Sequence, residues 1–278
     1  MIKKFINTIY YLFYDLIKIL INLQKKNNFI ILLPRSLAIF SKKIFIYDKL
    51  NKKYFIQSIR NKYDALTVFE IFGEESYCLT KLKKWKKINK KYKNILEKKL
   101  KPLIIDCGSN IGCSTEYFYR IFSEAKFLSL EPNYECINFS KQNISPSDVV
   151  LINKAVSSEH QNLFIDLDKD DSRASKISKK QGIEIESISI NSLINEHKLY
   201  TPFIIKIDIE GFENDLFSKN YEWINSFDVL IIEIHDWMLP GRSNSYNFFK
   251  AIAENMNIDS KRDIIISGEN LILIKNDE

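Results

Sequence analysis

From residue 102 onward, short continuous runs of apolar residues alternate with stretches whose apolar positions recur at helical spacing. Runs of the first kind predict buried strands, and stretches of the second kind predict helices. The predicted strands are, in chain order, PLIIDC, KFLSLEP, VVLIN, NLFIDL, IEIESISI, PFIIKID, DVLIIEIH, DIIIS and NLILIK. The predicted helices cover residues 111–122, 133–143, 191–198, 211–219 and 245–255. Buried strands separated by helices predict a doubly wound α/β fold, with a mostly parallel sheet covered on both faces.

The first 26 residues, MIKKFINTIYYLFYDLIKILINLQKK, follow a helical pattern instead. Their apolar stripe comprises Phe5, Ile9, Leu12, Phe13, Leu16, Leu20 and Leu23. The longest uncharged run, Phe5–Tyr14, has 10 residues where a bilayer span needs about 20, so we predict no transmembrane helix. Asp15 and Lys18 interrupt the apolar region and no small-residue cleavage site follows, which argues against a cleaved signal peptide. We predict an amphipathic helix that packs on the protein or a partner, or lies on an anionic membrane surface.

Residues 81–101, KLKKWKKINKKYKNILEKKLK, contain 11 lysines and one glutamate. Apolar residues recur there near helical spacing: Leu82, Trp85, Ile88, Tyr92, Ile95 and Leu100. The pattern predicts a helix with one apolar face, and its lysines contact phosphate on a lipid, glycan or nucleic acid, or simply face solvent. Pro102 ends this helix. We therefore divide the chain into a basic, largely helical N-terminal extension, residues 1–101, and an α/β domain, residues 102–278.

The two regions carry net charges of opposite sign. Residues 1–101 hold 24 Lys and Arg against 7 Asp and Glu, whereas residues 102–278 hold 17 against 28. The basic excess predicts peripheral contact with an anionic membrane through residues 1–26 and 81–101. The abundance of Lys, Ile and Asn also suggests an AT-rich coding bias, so part of the basic excess carries no function. The four cysteines have neither Cys-x-x-Cys nor metal-site spacing, which predicts reduced thiols in a cytoplasmic protein. The predicted contact of the basic segments with an anionic membrane would place it at the inner face of that membrane.

The stretch IIDCGSNIGCST, residues 104–115, places a glycine turn between a strand and a helix. Glycines let the backbone approach a ligand closely, and a helix N-terminus favours an anionic group. Glu131 closes the next predicted strand, where a carboxylate accepts hydrogen bonds from both hydroxyls of a ribose. This spacing fits an S-adenosylmethionine site or a dinucleotide site. The Gly-x-Gly-x-x-Gly pattern of dinucleotide sites is missing, which disfavours a nicotinamide-dependent oxidoreductase.

Two later strands end in clusters of charged residues. FIIKIDIEGFE carries Lys206, Asp208, Glu210 and Glu213, and VLIIEIHDW carries Glu233, His235 and Asp236. Acids at the start of the following helix are also expected to cap it. Ligands of doubly wound sheets bind at the carboxyl ends of the strands, so we expect both clusters to face the cavity that holds the glycine turn.

The segments DCGSNIG, SLEPN, NKAVSS, KIDIEGFE and IEIHDW, in this order and spacing, resemble the FkbM family of S-adenosylmethionine-dependent methyltransferases. The resemblance covers roughly residues 100–275. It implies a class I, Rossmann-like methyltransferase fold with a seven-stranded sheet, and methyl transfer to an oxygen of a sugar, glycan or small metabolite. We predict that S-adenosylmethionine is bound by the following residues: Asp106, Gly108, Asn110, Gly112, Glu131 and Asn133.

A hydroxyl acceptor needs a group that removes its proton or stabilises its charge. The candidate catalytic residues are Lys206, Asp208, Glu210 and His235. Asp208, Glu233 and His235 are also candidate ligands of Mg²⁺ or another divalent cation, and without a metal His235 or Lys206 serves as the base. No Asn/Asp-Pro-Pro-aromatic stretch follows the fourth strand and no Pro-Cys pair is present, which disfavours methylation of nitrogen or of cytosine carbon. A nucleic-acid-binding protein or RNA methyltransferase is the alternative, but the aromatics Trp85 and Tyr92 lie on the apolar side of their helix, so nucleic acid is disfavoured.

Overall fold

The computed structural model describes residues 17, 27–168, 171, 173, 175–236, 241, 243–255 and 261–276, without the side chain of Ser36. Strands β1–β14 of this part cover Phe29–Ile31, Lys43–Asp48, Lys53–Ser58, Lys101–Cys107, Lys126–Leu130, Val150–Ile152, Ala155–Val156, Asn162–Asp166, Lys176–Ser178, Ile183–Ile188, Tyr200–Ile207, Val229–Glu233, Arg262–Ser267 and Asn270–Lys275. Helices α1–α8 cover Arg35–Ser41, Lys62–Val68, Trp85–Glu97, Cys113–Ile121, Tyr134–Ser140, Ile190–Glu196, Glu213–Leu216 and Tyr246–Asn255. A π-helix, Phe69–Glu74, continues α2, and a 3₁₀ helix covers Glu222–Ser226.

The central sheet has seven strands in the order β13-β14-β12-β11-β4-β5-β6. The strands β6, β5, β4, β11 and β12 are parallel, and β14 is antiparallel to both of its neighbours. Successive side chains of one strand enter different hydrophobic clusters: Ile104 packs on one face, and Leu103 and Ile105 on the other. Both faces are therefore covered, which confirms the predicted doubly wound, mostly parallel α/β sheet.

Two predicted strands lie outside the central sheet. β8 and β10 pair antiparallel in a four-stranded sheet of order β7-β10-β8-β9. In β8, Leu163 and Ile165 are buried while Asn162 and Asp166 are exposed. This alternation is typical of an antiparallel sheet with one solvated face, whereas the central strands are apolar throughout. The predicted helix 211–219 is also shorter, since only α7 is helical in that stretch.

The N-terminal region, which we define as residues 27–100, contains a three-stranded antiparallel sheet of order β1-β2-β3. The predicted helical extension therefore includes a sheet that the sequence analysis did not foresee. Its inner side chains share a hydrophobic cluster with α4, and the ring centroids of Phe29 and Tyr117 lie 5.2 Å apart. The predicted amphipathic helix 1–26 lies outside the described residues, Ile17 excepted. Within the described chain, no helix is both long and apolar enough to cross a bilayer.

The lysine-rich segment forms helix α3, as predicted, and its apolar face is buried. The ring of Tyr92 packs 5.1 Å from Phe122 and 5.6 Å from Phe203, measured between centroids. Some of its lysines are paired with acids of the α/β domain: Lys91 lies 2.8 Å from Asp228, and Lys84, just before the helix, forms an ion pair with Asp263. Part of the charge difference between the two regions is therefore neutralised inside the molecule.

Candidate active site

A cavity of about 380 Å³ opens at the carboxyl ends of the central parallel strands. Its lining includes the glycine turn after β4, Glu131 after β5, and charged residues after β11 and β12. The predicted site residues that line it are Gly108, Asn110, Glu131, Lys206, Asp208, Glu210, Glu233 and His235. The carboxyl edge of a parallel sheet is where such a fold binds its ligands.

The glycine turn is shaped by its contacts with the end of β11. Gly108 has a φ of +78°, and a Cβ built on it would lie 1.8 Å from the carbonyl oxygen of Asp208. The N–H groups of Gly108 and Ser109 both donate to the carbonyl oxygen of Leu130, at 2.9 Å, so they are directed into the fold instead of toward a ligand. The hydroxyl of Ser109 is buried beside the cavity, and within the described part of the chain no hydrogen-bond partner is found for it.

Gly112 has a different role from Gly108. It precedes α4 with a φ of +85°, and a Cβ there would lie 2.8 Å from the side chain of Ile144. Gly112 does not belong to the cavity lining. Its position is explained by the close packing of α4 against the segment that follows α5.

Glu131 holds its carboxylate at the cavity wall with two backbone hydrogen bonds. The N–H of Asn133 donates to Oε1 at 2.8 Å and the N–H of Asn110 donates to Oε2 at 2.9 Å. Burial raises the pKa of Glu131 to about 7, although these two bonds act in the opposite direction. Each oxygen keeps one acceptor position for a ligand. The Asn133 side chain caps α5 through the N–H of Glu135, so Asn133 contributes to the site by fixing Glu131.

Asp106 lies beneath the turn, outside the cavity lining, and is fully buried. It accepts hydrogen bonds from the hydroxyls of Ser114 and Thr115, both at 2.6 Å, and its other oxygen lies 3.2 Å from Nζ of Lys206. The ammonium of Lys206 also donates to the carbonyl oxygen of Gly108 at 2.7 Å and lies 3.4 Å from Oδ2 of Asp208. Asp106 and Lys206 thus connect the glycine turn to the end of β11.

The environment of Lys206 keeps its amine protonated. Burial acts to lower the pKa of Lys206, but the charges of Asp106 and Asp208 outweigh it and raise that pKa above its usual value. A general base must be deprotonated before it accepts a proton. The sequence-based hypothesis that Lys206 serves as the base therefore does not fit its surroundings.

His235 is buried at the end of β12 among four carboxylates. Its Nδ1 lies 2.8 Å from Oε1 of Glu213, and the second oxygen of Glu213 accepts a hydrogen bond from Asn244 at 2.5 Å. Nε2 lies 3.6 Å from Asp208, 3.6 Å from Glu210 and 3.5 Å from Glu233. The two strand ends that the sequence predicted to converge do meet here.

The charges in this cluster shift each other's titration. Burial acts to lower the pKa of His235, but the hydrogen bond and charge of Glu213, with the charges of Asp208 and Glu210, raise it to about 9. Burial, followed by the charge of Asp208, raises the pKa of Glu210 to about 8 and that of Glu233 to about 8. The cluster therefore needs bound protons or a cation to balance its carboxylates.

One wall of the cavity comes from the N-terminal region, which the sequence analysis did not connect with the site. Thr67, Glu70 and Ile71 line the cavity from α2 and the π-helix. The hydroxyl of Tyr77, a buried residue, donates to Oδ2 of Asp208 at 3.0 Å. The contact joins residues 131 positions apart, and the one local signal is Glu70, an acid inside an apolar helical run.

The glycine turn, the acid after the next strand and the charged clusters at the two later strand ends occupy one cavity, in the order that the FkbM resemblance implies. The sequence matches the model of the methyltransferase FkbM domain over residues 106–260. This chain belongs to the FkbM methyltransferase family. Its mostly parallel, seven-stranded α/β sheet is the class I methyltransferase fold that the resemblance implies, and the predicted enzyme class is confirmed.

This FkbM methyltransferase is similar to several proteins whose names describe methyltransferases. The hexuronic acid methyltransferase AglP of Haloferax volcanii is 25% identical over 143 residues, which are 49% of this chain and 56% of AglP. The match therefore spans little more than half the length of that relative. Among solved structures, the plantazolicin methyltransferase BpumL is 14% identical with a TM-score of 0.35, over 76% of this chain and 98% of BpumL. The magnesium protoporphyrin IX methyltransferase of Synechocystis PCC 6803 is 9% identical with a TM-score of 0.33, over 68% of this chain and 77% of its own.

Proposed function

We propose that this FkbM methyltransferase transfers the methyl group of S-adenosylmethionine to a hydroxyl oxygen of a sugar, glycan or small metabolite. One observation carries the proposal: Glu131, whose carboxylate can accept hydrogen bonds from ribose hydroxyls, shares a single cavity with the histidine and carboxylate cluster around His235. Glu131 suits a nucleoside-containing methyl donor. The cluster around His235 suits an acceptor hydroxyl whose proton must be removed or whose charge must be stabilised.

The cavity offers suitable partners for each part of the cofactor. The two remaining acceptor positions of Glu131 suit the two ribose hydroxyls, and the unpaired hydroxyl of Ser109 offers one more polar contact. Leu130, Pro132 and Val156 supply the apolar surface that an adenine ring needs. S-Adenosylmethionine, when bound, supplies a methyl group on a sulfonium, whose S–C bond breaks as the new O–C bond forms.

The residues after β11 and β12 act on the acceptor. The free oxygen of Asp208, the carboxylates of Glu210 and Glu233, and His235 surround the place where a hydroxyl can lose its proton. The proton passes to one of these carboxylates, or to His235 once it has lost its own proton, as the methyl group arrives; the pKa of about 9 makes His235 available for this only at high pH. A divalent cation held by Asp208, Glu233 and His235 is the alternative means of stabilising the acceptor oxygen, and we propose Mg²⁺ or a similar ion.

A sugar acceptor is supported by the relative AglP, whose name describes a hexuronic acid methyltransferase. The cavity lining combines the acids of the cluster with the cations Lys154 and Arg173. Carboxylates and basic side chains both form hydrogen bonds with sugar hydroxyls, and a cation also suits the carboxylate of an acidic sugar.

The proposal is tested first by calorimetry with S-adenosylmethionine and, separately, with NAD. We expect S-adenosylmethionine to bind and NAD not to bind. We also expect the variant Glu131→Gln to bind S-adenosylmethionine more weakly than the wild type does. Methyl-labelled S-adenosylmethionine is then incubated with methyl glucoside, methyl glucuronide and methyl glucosaminide, and the product is located by NMR. Binding of NAD alone would contradict the donor assignment, and labelling of an amine instead of a hydroxyl would contradict the acceptor assignment.

Peripheral contact with an anionic membrane, through residues 1–26 and 81–101, is a further proposal. The exposed lysines of α3 support it, among them Lys86, Lys90 and Lys93. Tyr92 is buried against phenylalanine rings and offers no face for base stacking, which argues against nucleic-acid binding through this residue.

A further inference from the structure

Glu70 belongs to the cavity wall that comes from the N-terminal region, and it lies on the π-helix. Its backbone is held firmly, because its carbonyl oxygen accepts hydrogen bonds from the N–H of Glu75, the N–H of Ser76 at 3.3 Å and the hydroxyl of Ser76 at 3.0 Å. The carboxylate of Glu70, in contrast, has no hydrogen bond and no ion pair within the described residues. π-Helices are rare and occur frequently at functional sites.

Glu70 shares the end of the cavity where the acceptor of the proposed reaction is expected. Burial raises the pKa of Glu70, and the charge of Asp208 raises it further. The hydroxyl of Tyr77, from the same wall, is bonded to Asp208 at 3.0 Å. A half-buried carboxylate without a partner costs free energy unless a ligand supplies hydrogen-bond donors. The side chain of Glu70 is therefore placed to bind a ligand that enters beside Asp208.

A positive charge lines the same cavity from another element. Arg173, in the connection between β8 and β9, is oriented by two hydrogen bonds to Asp171, at 2.9 and 2.8 Å. Its guanidinium also lies 5.5 Å from the ring centroid of Tyr63 in α2. The hydrogen bond to Asp171, followed by the charges of Asp171 and Glu70, raises the pKa of Arg173, so Arg173 and Glu70 are close enough to interact. Among the described residues they form no ion pair, and a gap therefore separates the two charges.

Ser175 provides an observation that is independent of these charges. It lines the cavity two residues after Arg173 and is 9% exposed. Its hydroxyl is buried, and within the part of the chain that the structure describes it has no hydrogen-bond partner. Buried polar groups are nearly always hydrogen-bonded. An unpaired hydroxyl in the lining indicates that a polar ligand completes this part of the cavity.

We infer that Glu70 and Arg173 form an acceptor-binding subsite, which takes the sugar-ring hydroxyl next to the one that is methylated. A hydroxyl both donates and accepts hydrogen bonds, so it can donate to Glu70 and accept from Arg173 across the gap. The neighbouring hydroxyl of the ring then faces the cluster around His235. This inference rests on the proposed function and deepens it: the acceptor carries adjacent hydroxyls, and the N-terminal region, which lies outside the matched residues 106–260, helps to select it.

The subsite is tested on the full-length protein saturated with S-adenosylhomocysteine. Methyl glucoside, methyl glucuronide and methyl glucosaminide are the probes, and their binding is measured by saturation-transfer NMR. We expect at least one glycoside to bind, and Glu70→Gln to raise its Kd about tenfold, because the amide lacks the charge that strengthens the hydrogen bond. Glu74→Gln is the matched control, since Glu74 lies on the same π-helix but is exposed and does not line the cavity, and it should bind the glycoside as the wild type does.

Calorimetry with S-adenosylhomocysteine on the same samples shows that each variant is folded and keeps its cofactor site, and we expect unchanged Kd values there. Equal glycoside affinity in Glu70→Gln and the wild type would overturn the subsite and leave the methyltransferase proposal intact. A wild type that binds S-adenosylhomocysteine but none of the glycosides would overturn the assignment to a sugar ring. Failure of the wild type to bind S-adenosylhomocysteine would instead contradict the proposed function itself.

Discussion

Glu131 lies at the cavity wall with a pKa that burial raises to about 7, so its charge changes within the range in which proteins are assayed. Ribose hydroxyls donate hydrogen bonds, and a carboxylate accepts them better than a neutral carboxyl group does. Binding of S-adenosylmethionine therefore favours loss of the proton from Glu131. We expect Kd to fall as the pH rises from 6 to 8, by at most about tenfold per pH unit below the pKa, and to become constant above it.

Calorimetry across this pH range, on the wild type and on Glu131→Gln, checks the prediction. The amide cannot ionise, so the variant should show weaker binding without this pH dependence, by about 1.5–3 kcal/mol at high pH for the lost bonds to a charged group. A pH-independent Kd in the wild type would show that Glu131 does not contact the ligand.

Gly108 shows how one residue joins two strand ends. In Gly108→Ala the methyl group would lie 1.8 Å from the carbonyl oxygen of Asp208, and the backbone φ of +78° is unfavourable for alanine. We expect the free energy of unfolding to fall by about 3 kcal/mol or more, from strain and overpacking together. Gly268→Ala is the matched control: its φ is +61° and nothing lies within 4 Å, so only the backbone strain of about 1–2 kcal/mol should remain. Urea unfolding of both variants tests this, and equal losses would contradict the role of the close contact.

At the scale of elements, the π-helix and Tyr77 attach the N-terminal region to the end of β11. The hydroxyl of Tyr77, a buried residue, donates to the partly buried carboxylate of Asp208, so we expect a coupling energy of about 1.5–3 kcal/mol between the two side chains. The double-mutant cycle of Tyr77→Phe and Asp208→Asn, measured by urea unfolding, gives this energy directly. Tyr117→Phe, which removes a buried hydroxyl outside the cavity, replaces Tyr77→Phe in the control cycle. Additive effects in the first cycle would mean that the contact does not stabilise the fold.

The strands of the central sheet, which the sequence predicted well, share one property, which is a continuous apolar run. Asp208 and Glu233 were placed correctly because such a run fixes the strand, and the strand fixes which edge its last residue reaches. Asp106 is the penultimate residue of the equally apolar strand β4 but lies under the turn, since the position of a residue near a strand end does not reveal which way its side chain points. The small sheets were missed or misplaced because their short alternating strands give a weaker signal. The contact of Tyr77 with Asp208 depends on tertiary packing, which no local pattern records.

At the scale of the whole molecule, the lysines in and just before α3 fall into two groups: some pair with acids of the α/β domain, and others stay exposed to solvent. Lys91 and Lys84 pair with acids of the α/β domain, which joins the basic helix to the sheet. Other lysines of the same helix remain on the outer surface, with Lys86, Lys90 and Lys93 exposed on one side at helical spacing. The first set is explained by the fold, and the second is available to an anionic partner.

If α3 contributes to binding at an anionic membrane, replacing the three exposed lysines by glutamine should weaken binding to vesicles that contain phosphatidylserine. Each basic residue near such a surface contributes about 1 kcal/mol, so the triple variant should lose affinity on the order of 100-fold at low salt. The matched control removes three exposed lysines of the α/β domain, Lys176, Lys180 and Lys198, and changes the net charge equally. Flotation with anionic and neutral vesicles, at low and high salt, separates the outcomes, because surface attraction is screened by salt. Equal losses of vesicle affinity in both triple variants would show that overall charge, and not the position of the α3 lysines, determines binding. Equal binding to anionic and neutral vesicles would contradict a role of α3 at an anionic membrane.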